Sequence, residues 1–240
     1  MTTTVNENIN TWLSQIHTEY KTAISVDCVI FGYNEDGLKV LTMKSDMPPF
    51  EGQYSLVGDL VHASETLDDA ATRILFKRTG LDDVHMEQVQ AFSSLDRHPL
   101  ARVITVAYYS LVQLTHQLET AAQQHDMEWT DLASLTELAF DHKLIMDTCL
   151  QKLRVHLRER PIGFSLLPKK FSLKQLQNLY EVVLGIELDK RNFRRKLRNL
   201  DLLVDLKERQ SEVNHRPAKL YKFDNSKYEG KKKHGFNFDL

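Results

Sequence analysis

The chain has only two cysteines, Cys28 and Cys149, far apart and in no C-x-x-C pair. So few thiols argue against a disulfide scaffold or a cysteine zinc site, and a reducing compartment is expected. Nine Gly and six Pro in 240 residues are too few for a collagen-like or low-complexity chain. No apolar run approaches about 18 residues, so no membrane-crossing helix is expected. The start, MTTTVNENINTWLSQ, lacks the basic and apolar stretches of a signal peptide, and a cytoplasmic location follows as an expectation. No G-x-G-x-x-G, P-loop, G-x-S-x-G or H-E-x-x-H occurs. With 42% hydrophobic and 27% charged residues, the chain can bury a core as one or two domains.

The net charge of -2 conceals an asymmetry. Residues 161–240 hold 18 Lys and Arg against 10 Asp and Glu, whereas residues 1–160 hold 13 against 23. A basic C-terminal third on an acidic body suggests two modules, one of which meets a polyanion.

Hydrophobic spacing organises the first module. Ile9, Trp12, Leu13 and Ile16 predict a short amphipathic helix over 6–20. Residues 23–33 and 38–43 read as a hairpin about Asn34-Glu35-Asp36-Gly37. A helix over 66–79 ends at Gly80, and 84–95 and 102–114 are strands about a polar loop. Glu128-Trp129-Thr130 is a further strand, and Leu144 to Arg158 is a helix. The expected class is α+β, with antiparallel strands and interspersed helices over 1–160. Pro161 and Gly163 mark a linker.

The second module, 161–240, turns helical. Ser172 caps a helix that stops at Gly185, and Asp189 caps the next, which gives helix-turn-helix spacing. Residues 202–207 and 219–223 form a hairpin behind it, a wing. Phe193, Leu197 and Leu200 form the inward stripe of the second helix, while Lys190, Arg191, Arg194, Arg195 and Arg198 occupy other faces. Crowded cations repel one another unless an anion lies alongside, and the position is that of a recognition helix in the major groove. Arg191, Asn192 and Arg195 are expected to touch bases. Lys190, Arg194, Arg198 and Arg216 are expected on phosphates, with Arg209, His215 and Lys219 at or beside the wing tip. Lys231 to Lys233 are expected as nonspecific phosphate contacts or a flexible tail.

Residues 58–81, GDLVHASETLDDAATRILFKRTGL, resemble the Nudix hydrolase box, G-x5-E-x7-R-E-U-x-E-E-x-G-U. In that box three glutamates on one helix face hold Mg²⁺, which polarises a diphosphate and activates water. Here Glu65, Arg73, Gly80 and Leu81 are kept, Asp59 stands in place of the first Gly, and the metal-ligand positions hold Ile74, Lys77 and Arg78. Three acids are lost and two cations gained, so the expectation is a Nudix scaffold without hydrolysis, catalytic residues or metal.

A degenerate Nudix domain followed by a winged helix resembles the Nudix-related transcriptional regulators, from about Tyr20 to Phe223. The resemblance rests on Cys28-Val29-Ile30-Phe31-Gly32, the altered box, Leu95-Asp96-Arg97, Ala139-Phe140-Asp141-His142, Pro161-Ile162-Gly163-Phe164 and Asp189-Lys190-Arg191-Asn192-Phe193-Arg194. It implies a Nudix-like mixed sheet flanked by helices and followed by the winged helix-turn-helix, in a cytoplasmic homodimer that binds a palindromic double-stranded operator as a repressor, with no cofactor, and whose Nudix domain senses a small molecule. Of two branches, the arabinose-responsive one matches more closely than the NAD-metabolism branch, which favours a sugar effector over ADP-ribose. An active pyrophosphohydrolase is the alternative from another class. A sugar needs paired polar groups in a concave site. Asp96 and Arg97 with Arg102 are the first choices for it, and Asp27 and Asp59 the next.

Overall fold

The computed structural model describes residues 21–34, 36–81, 84–211, 216–234, 236 and 238. The helix expected over 6–20 and His215 lie outside them. Seven strands form one sheet: β1 (Ala23–Asn34), β2 (Gly37–Lys44), β3 (Tyr54–Ser55), β4 (Val57–Leu60), β5 (Glu87–Phe92), β6 (Val103–Gln113) and β7 (Met127–Asp131). The order is β3-β2-β1-β6-β5, with β4 also paired to β1 and β7 to β2.

The sheet is mixed, as the resemblance implies. β1 and β6 run parallel from Ala23↔Val103 to Tyr33↔Gln113. A parallel partner needs a long crossover, here the segment that includes helix α1 (Leu67–Thr79). β1 divides its other edge, pairing β4 over Ser25–Cys28 and β2 over Phe31–Asn34. Both of its edges are thus paired, and both of its faces lie in packed cores, which explains its unbroken apolar run. Val26, Cys28 and Ile30 face α1, and Val29, Phe31 and Tyr33 face the other layer, in the two-residue period of a strand.

That second layer holds α3 (His142–Glu159), which packs Ile145, Met146, Cys149, Leu150, Leu153 and Leu157 against the sheet. Leu144 is exposed, because it is rotated by about 100° from Ile145 and lies outside the buried stripe. A short helix not anticipated, α2 (His116–Gln124), is capped by Thr115.

The connector is not a free linker. Residues Pro161–Leu166 form a 3-10 segment with Gly163, Phe164 and Leu166 buried. A Cβ at Gly163 would press on Leu157 and Leu179 at 3.0 Å, so glycine gives the closest fit where the two modules meet. Helix α4 (Leu173–Leu184) lies beyond it, capped by Ser172 and Gln175 in a capping box and ended by Gly185 at φ +68°. Its Leu176, Leu179, Tyr180 and Val183 share one core with Val29, Phe31 and Tyr33 of the sheet. Helix α5 (Lys190–Leu200) follows the turn, with Phe193, Leu197 and Leu200 buried as expected. The turn is tied by Glu181, which accepts from the Leu188 N–H at 2.9 Å and from Gln177. β8 (Leu203–Arg209) and β9 (Lys219–Phe223) make the wing.

Of the last lysine cluster, Lys231 is held by the fold, while Lys232 and Lys233 are exposed. α6 (Asn225–Lys232) carries Lys231 to the Leu200 carbonyl at 2.8 Å and Lys227 to Asp201 at 2.5 Å. Cations there neutralise the negative end of α5, so Lys231 is neither tail nor open phosphate contact. Among the described residues no helix is long and apolar enough to cross a membrane.

Candidate effector cavity and nucleic-acid interface

A cavity of about 210 Å³ opens between β1, β4, the C-terminal end of α1 and the start of α3. Asp27 of β1 lies in its wall, 5% exposed. Gly58 on the paired strand makes room for that carboxylate, since a Cβ there would collide with its Oδ1. Across the cavity His142 Nδ1 accepts from the Leu56 N–H at 3.0 Å. A neutral ring then carries its proton on Nε2, 3.6 Å from Asp27 Oδ1. Burial, partly offset by Asp27 and Asp141, holds the His142 pKa below the usual histidine range.

Arg97 is 7% exposed. It grips Asp141 with two hydrogen bonds, 2.9 and 2.8 Å, and reaches Asp27 at 3.4 Å. Of the five residues expected to bind an effector, Asp27, Asp59 and Arg97 line this cavity and the other two do not. Arg97 is committed to carboxylates rather than open to a polyol. Arg102 donates to the Ser93 and Ser94 carbonyls at 2.8 and 2.9 Å and staples its own loop. Asp96 is exposed and borders a neighbouring hollow with Phe92, Pro99 and Leu144. These loop side chains could not be sorted by sequence spacing, because the fold of the loop decides which one turns inward.

Between the two hollows stands Phe140, in the left-handed region at φ +55°. Its ring stacks on His98 (5.3 Å, 11°) and contacts Phe50 (4.6 Å). Burial, with Arg97 beside it, lowers the His98 pKa, so an uncharged aromatic platform flanks the cavity at neutral pH.

The altered box keeps its scaffold. Arg73 clasps Glu65 at 2.8 and 2.6 Å and donates to the Leu60 carbonyl at 2.9 Å. Thr66 and Asp69 form a capping box, and Gly80 ends α1 at φ +69°. Ile74 is fully buried, Lys77 is exposed 4.0 Å from Asp59, and Arg78 lines the cavity.

At the other end of the molecule, two adjoining hollows lie between the start of α4, the start of α5 and the wing. Lys174, Lys190, Arg194, Arg209, Arg216 and Lys219 line them. Of these, Arg209 donates to the Pro217 carbonyl and Lys219 meets Asp205 at 3.2 Å, so the wing cations are held in place. Lys174 was not anticipated. Its position in the first turn after the Ser172 cap is a readable signal, because that turn sits beside the groove in a helix-turn-helix. Arg191, Asn192, Arg195 and Arg198 are exposed on α5, outside these hollows. Arg195 donates to Asn192 Oδ1 at 2.6 Å, so these two act as a pair.

The NUDIX domain model matches residues 21–153, and the NrtR DNA-binding winged helix domain model matches residues 163–223. The chain is 30% identical over 219 residues to the ADPR responsive transcriptional repressor NtrR of Acinetobacter baylyi, covering 90% of this chain and 85% of that one. It is 32% identical over 124 residues to the ADP-ribose pyrophosphatase of Methanocaldococcus jannaschii, covering 52% and 70%. Its structure resembles Shewanella oneidensis NrtR complexed with a 27mer DNA (TM-score 0.70, 27% identity, 90% and 99% covered). It also shares the fold of a MutT/nudix family protein from Enterococcus faecalis (TM-score 0.67, 23% identity, 91% and 93% covered). A mixed sheet bearing a Nudix box, sharing its core with a winged helix of NrtR type, places the chain: it belongs to the Nudix family, among the NrtR-type regulators.

Proposed function

We propose that the chain is an operator-binding transcriptional repressor, dimeric and cytoplasmic, whose Nudix domain senses ADP-ribose without hydrolysing it. In this reading residues 1–160 sense and dimerise, and 161–240 bind DNA. The observation that carries DNA binding is the convergence of Lys174, Lys190, Arg194, Arg209, Arg216 and Lys219 on one concave face. Such a face matches the charge of duplex phosphate, while the exposed Arg191, Asn192 and Arg195 are free of the protein core to reach base edges. The effector reading departs from the sugar expected above. Its support is the 219-residue kinship to an ADPR responsive repressor, which favours the NAD-metabolism branch. Non-hydrolysis is supported by the side chains at the box positions 74, 77 and 78.

The test selects binding sites from a random duplex pool. It then titrates the enriched duplex against the protein with ADP-ribose, arabinose or neither. An enriched inverted repeat, with affinity changed by ADP-ribose and not by arabinose, is the expected result. No enrichment over bulk DNA, or a response to arabinose alone, overturns the reading. In parallel, ADP-ribose incubated with Mg²⁺ or Mn²⁺ should stay intact, and metal-dependent turnover lost on changing the box would make the protein an enzyme.

A further inference from the structure

The Nudix box implies a divalent cation, and the residues present do not fit one. Ile74 is sealed in the core with Val26, Cys28 and Ile30. Among the described residues no group of three or more His, Cys, Asp or Glu is placed to hold a metal ion. Arg78 instead lines the cavity, and its Nε is buried with no hydrogen-bond partner. A buried guanidinium N–H without an acceptor is costly, and few such groups survive in a fold unless something satisfies them. The cavity's other groups do not supply the acceptor. Asp27 faces Arg97 and His142, and Asp59 accepts from the Leu60 N–H and stands near Lys77.

We propose that Arg78 takes the place of the metal: its guanidinium binds the diphosphate of the effector directly, so recognition needs no divalent cation. The proposal rests on the reading that the effector is ADP-ribose. In a hydrolase the carboxylates and Mg²⁺ together present positive charge to the diphosphate. Here the protein presents that charge itself, as a fixed planar fork whose parallel N–H groups match phosphate oxygens. A guanidinium can hold a diphosphate yet cannot deliver a metal-bound hydroxide, which is what a sensor requires of its ligand site.

Calorimetric titration of the full chain tests this, with ADP-ribose, inorganic pyrophosphate and AMP as probes, each in EDTA and in Mg²⁺. Wild-type affinity for ADP-ribose should be the same within about twofold with and without metal. Arg78→Ala should weaken ADP-ribose and pyrophosphate by about tenfold to a hundredfold, the usual loss for a charge-assisted pair, and leave AMP less affected. Arg78→Lys, with the charge but no fork, should fall between. Neither variant should lower the melting temperature, since Arg78 Nε makes no bond to the protein. ADP-ribose binding that requires Mg²⁺, or that Arg78→Ala leaves unchanged, overturns the proposal and spares the effector reading. Arg78-dependent pyrophosphate binding without ADP-ribose binding would do the reverse. Failure of both ligands to bind would overturn both.

Discussion

Arg97 and Asp141 face each other as fork to fork, Nε to Oδ2 at 2.9 Å and Nη2 to Oδ1 at 2.8 Å, with the guanidinium almost wholly buried. The pair ties the β5–β6 loop to the start of α3. The same Nη2 reaches Asp27 at 3.4 Å, so one side chain joins strand, loop and helix at the cavity wall.

Removing that side chain strands Asp27 in the protein interior. Arg97→Ala should therefore destabilise the fold by about 3–5 kcal/mol, as breaking buried pairs does. Arg97→Lys should recover only part, because an ammonium cannot make the parallel bonds. Urea denaturation of both variants is the check. A loss under about 1 kcal/mol for the alanine variant would mean that water replaces the guanidinium.

Contacts to bases and to phosphates should separate by specificity. Arg191→Ala should cost about 1–3 kcal/mol on the selected operator and little on scrambled duplex. Lys174→Ala or Arg194→Ala should weaken both alike and lower the salt slope by about one unit. Asn192→Ala should behave like Arg195→Ala, because Arg195 is held by Asn192 Oδ1. Titrations at several salt concentrations decide the matter, and uniform indifference across α5 would remove it from the groove.

The Glu65–Arg73 clasp sets an acid limb. The Arg73 hydrogen bonds pull the Glu65 pKa from 4.5 to about 2. A carboxyl lowered on folding stabilises the native state above its unfolded pKa. That stabilisation is lost as pH falls from about 4.5 to about 2. Glu65→Gln should be less stable at neutral pH and should flatten this limb. Melting temperatures from pH 7 downward would show it, and parallel wild-type and variant curves would refute the linkage.

The turn between α4 and α5 depends on a glycine. Gly185 has φ +68°, and a Cβ there would lie 2.8 Å from Arg154 Nη2. Arg154 in turn donates Nε to the Val183 carbonyl at 3.0 Å, linking α3 to the end of α4. Gly185→Ala should cost about 1–2 kcal/mol for the left-handed backbone alone. Operator affinity should fall with it as Arg154 is displaced. Unchanged stability and affinity in thermal melts and titrations would indicate that the turn relaxes freely.

Much of this architecture was legible locally. The 3.6 spacing of Leu176, Leu179, Tyr180 and Val183 and of Phe193, Leu197 and Leu200, each behind a Ser172 or Asp189 cap, located both helices of the winged-helix module. The repeat of Leu67, Ala70, Ala71, Ile74 and Leu75 before Gly80 located α1. Less legible were α2 and α6, short and polar, although Thr115 and Asp224 cap them. β3 and β4 lie in the stretch after Pro49 and have two and four residues, too few to display a period.

What the sequence determined by itself was whatever depends on neighbours along the chain: helix faces, caps, the charge of the C-terminal third and the side chains at the box positions. Tertiary structure alone decided the parallel pairing of β1 with β6, the burial of the connector around Gly163, and which of Asp27, Asp59, Asp96, Arg97 and Arg102 line the cavity. The reason is range. Propensity and periodicity act over a few residues, whereas Arg97 finds Asp141 across 44 residues and Asp27 across 70. Such partners are chosen by which strands lie side by side, and no local pattern carries that information.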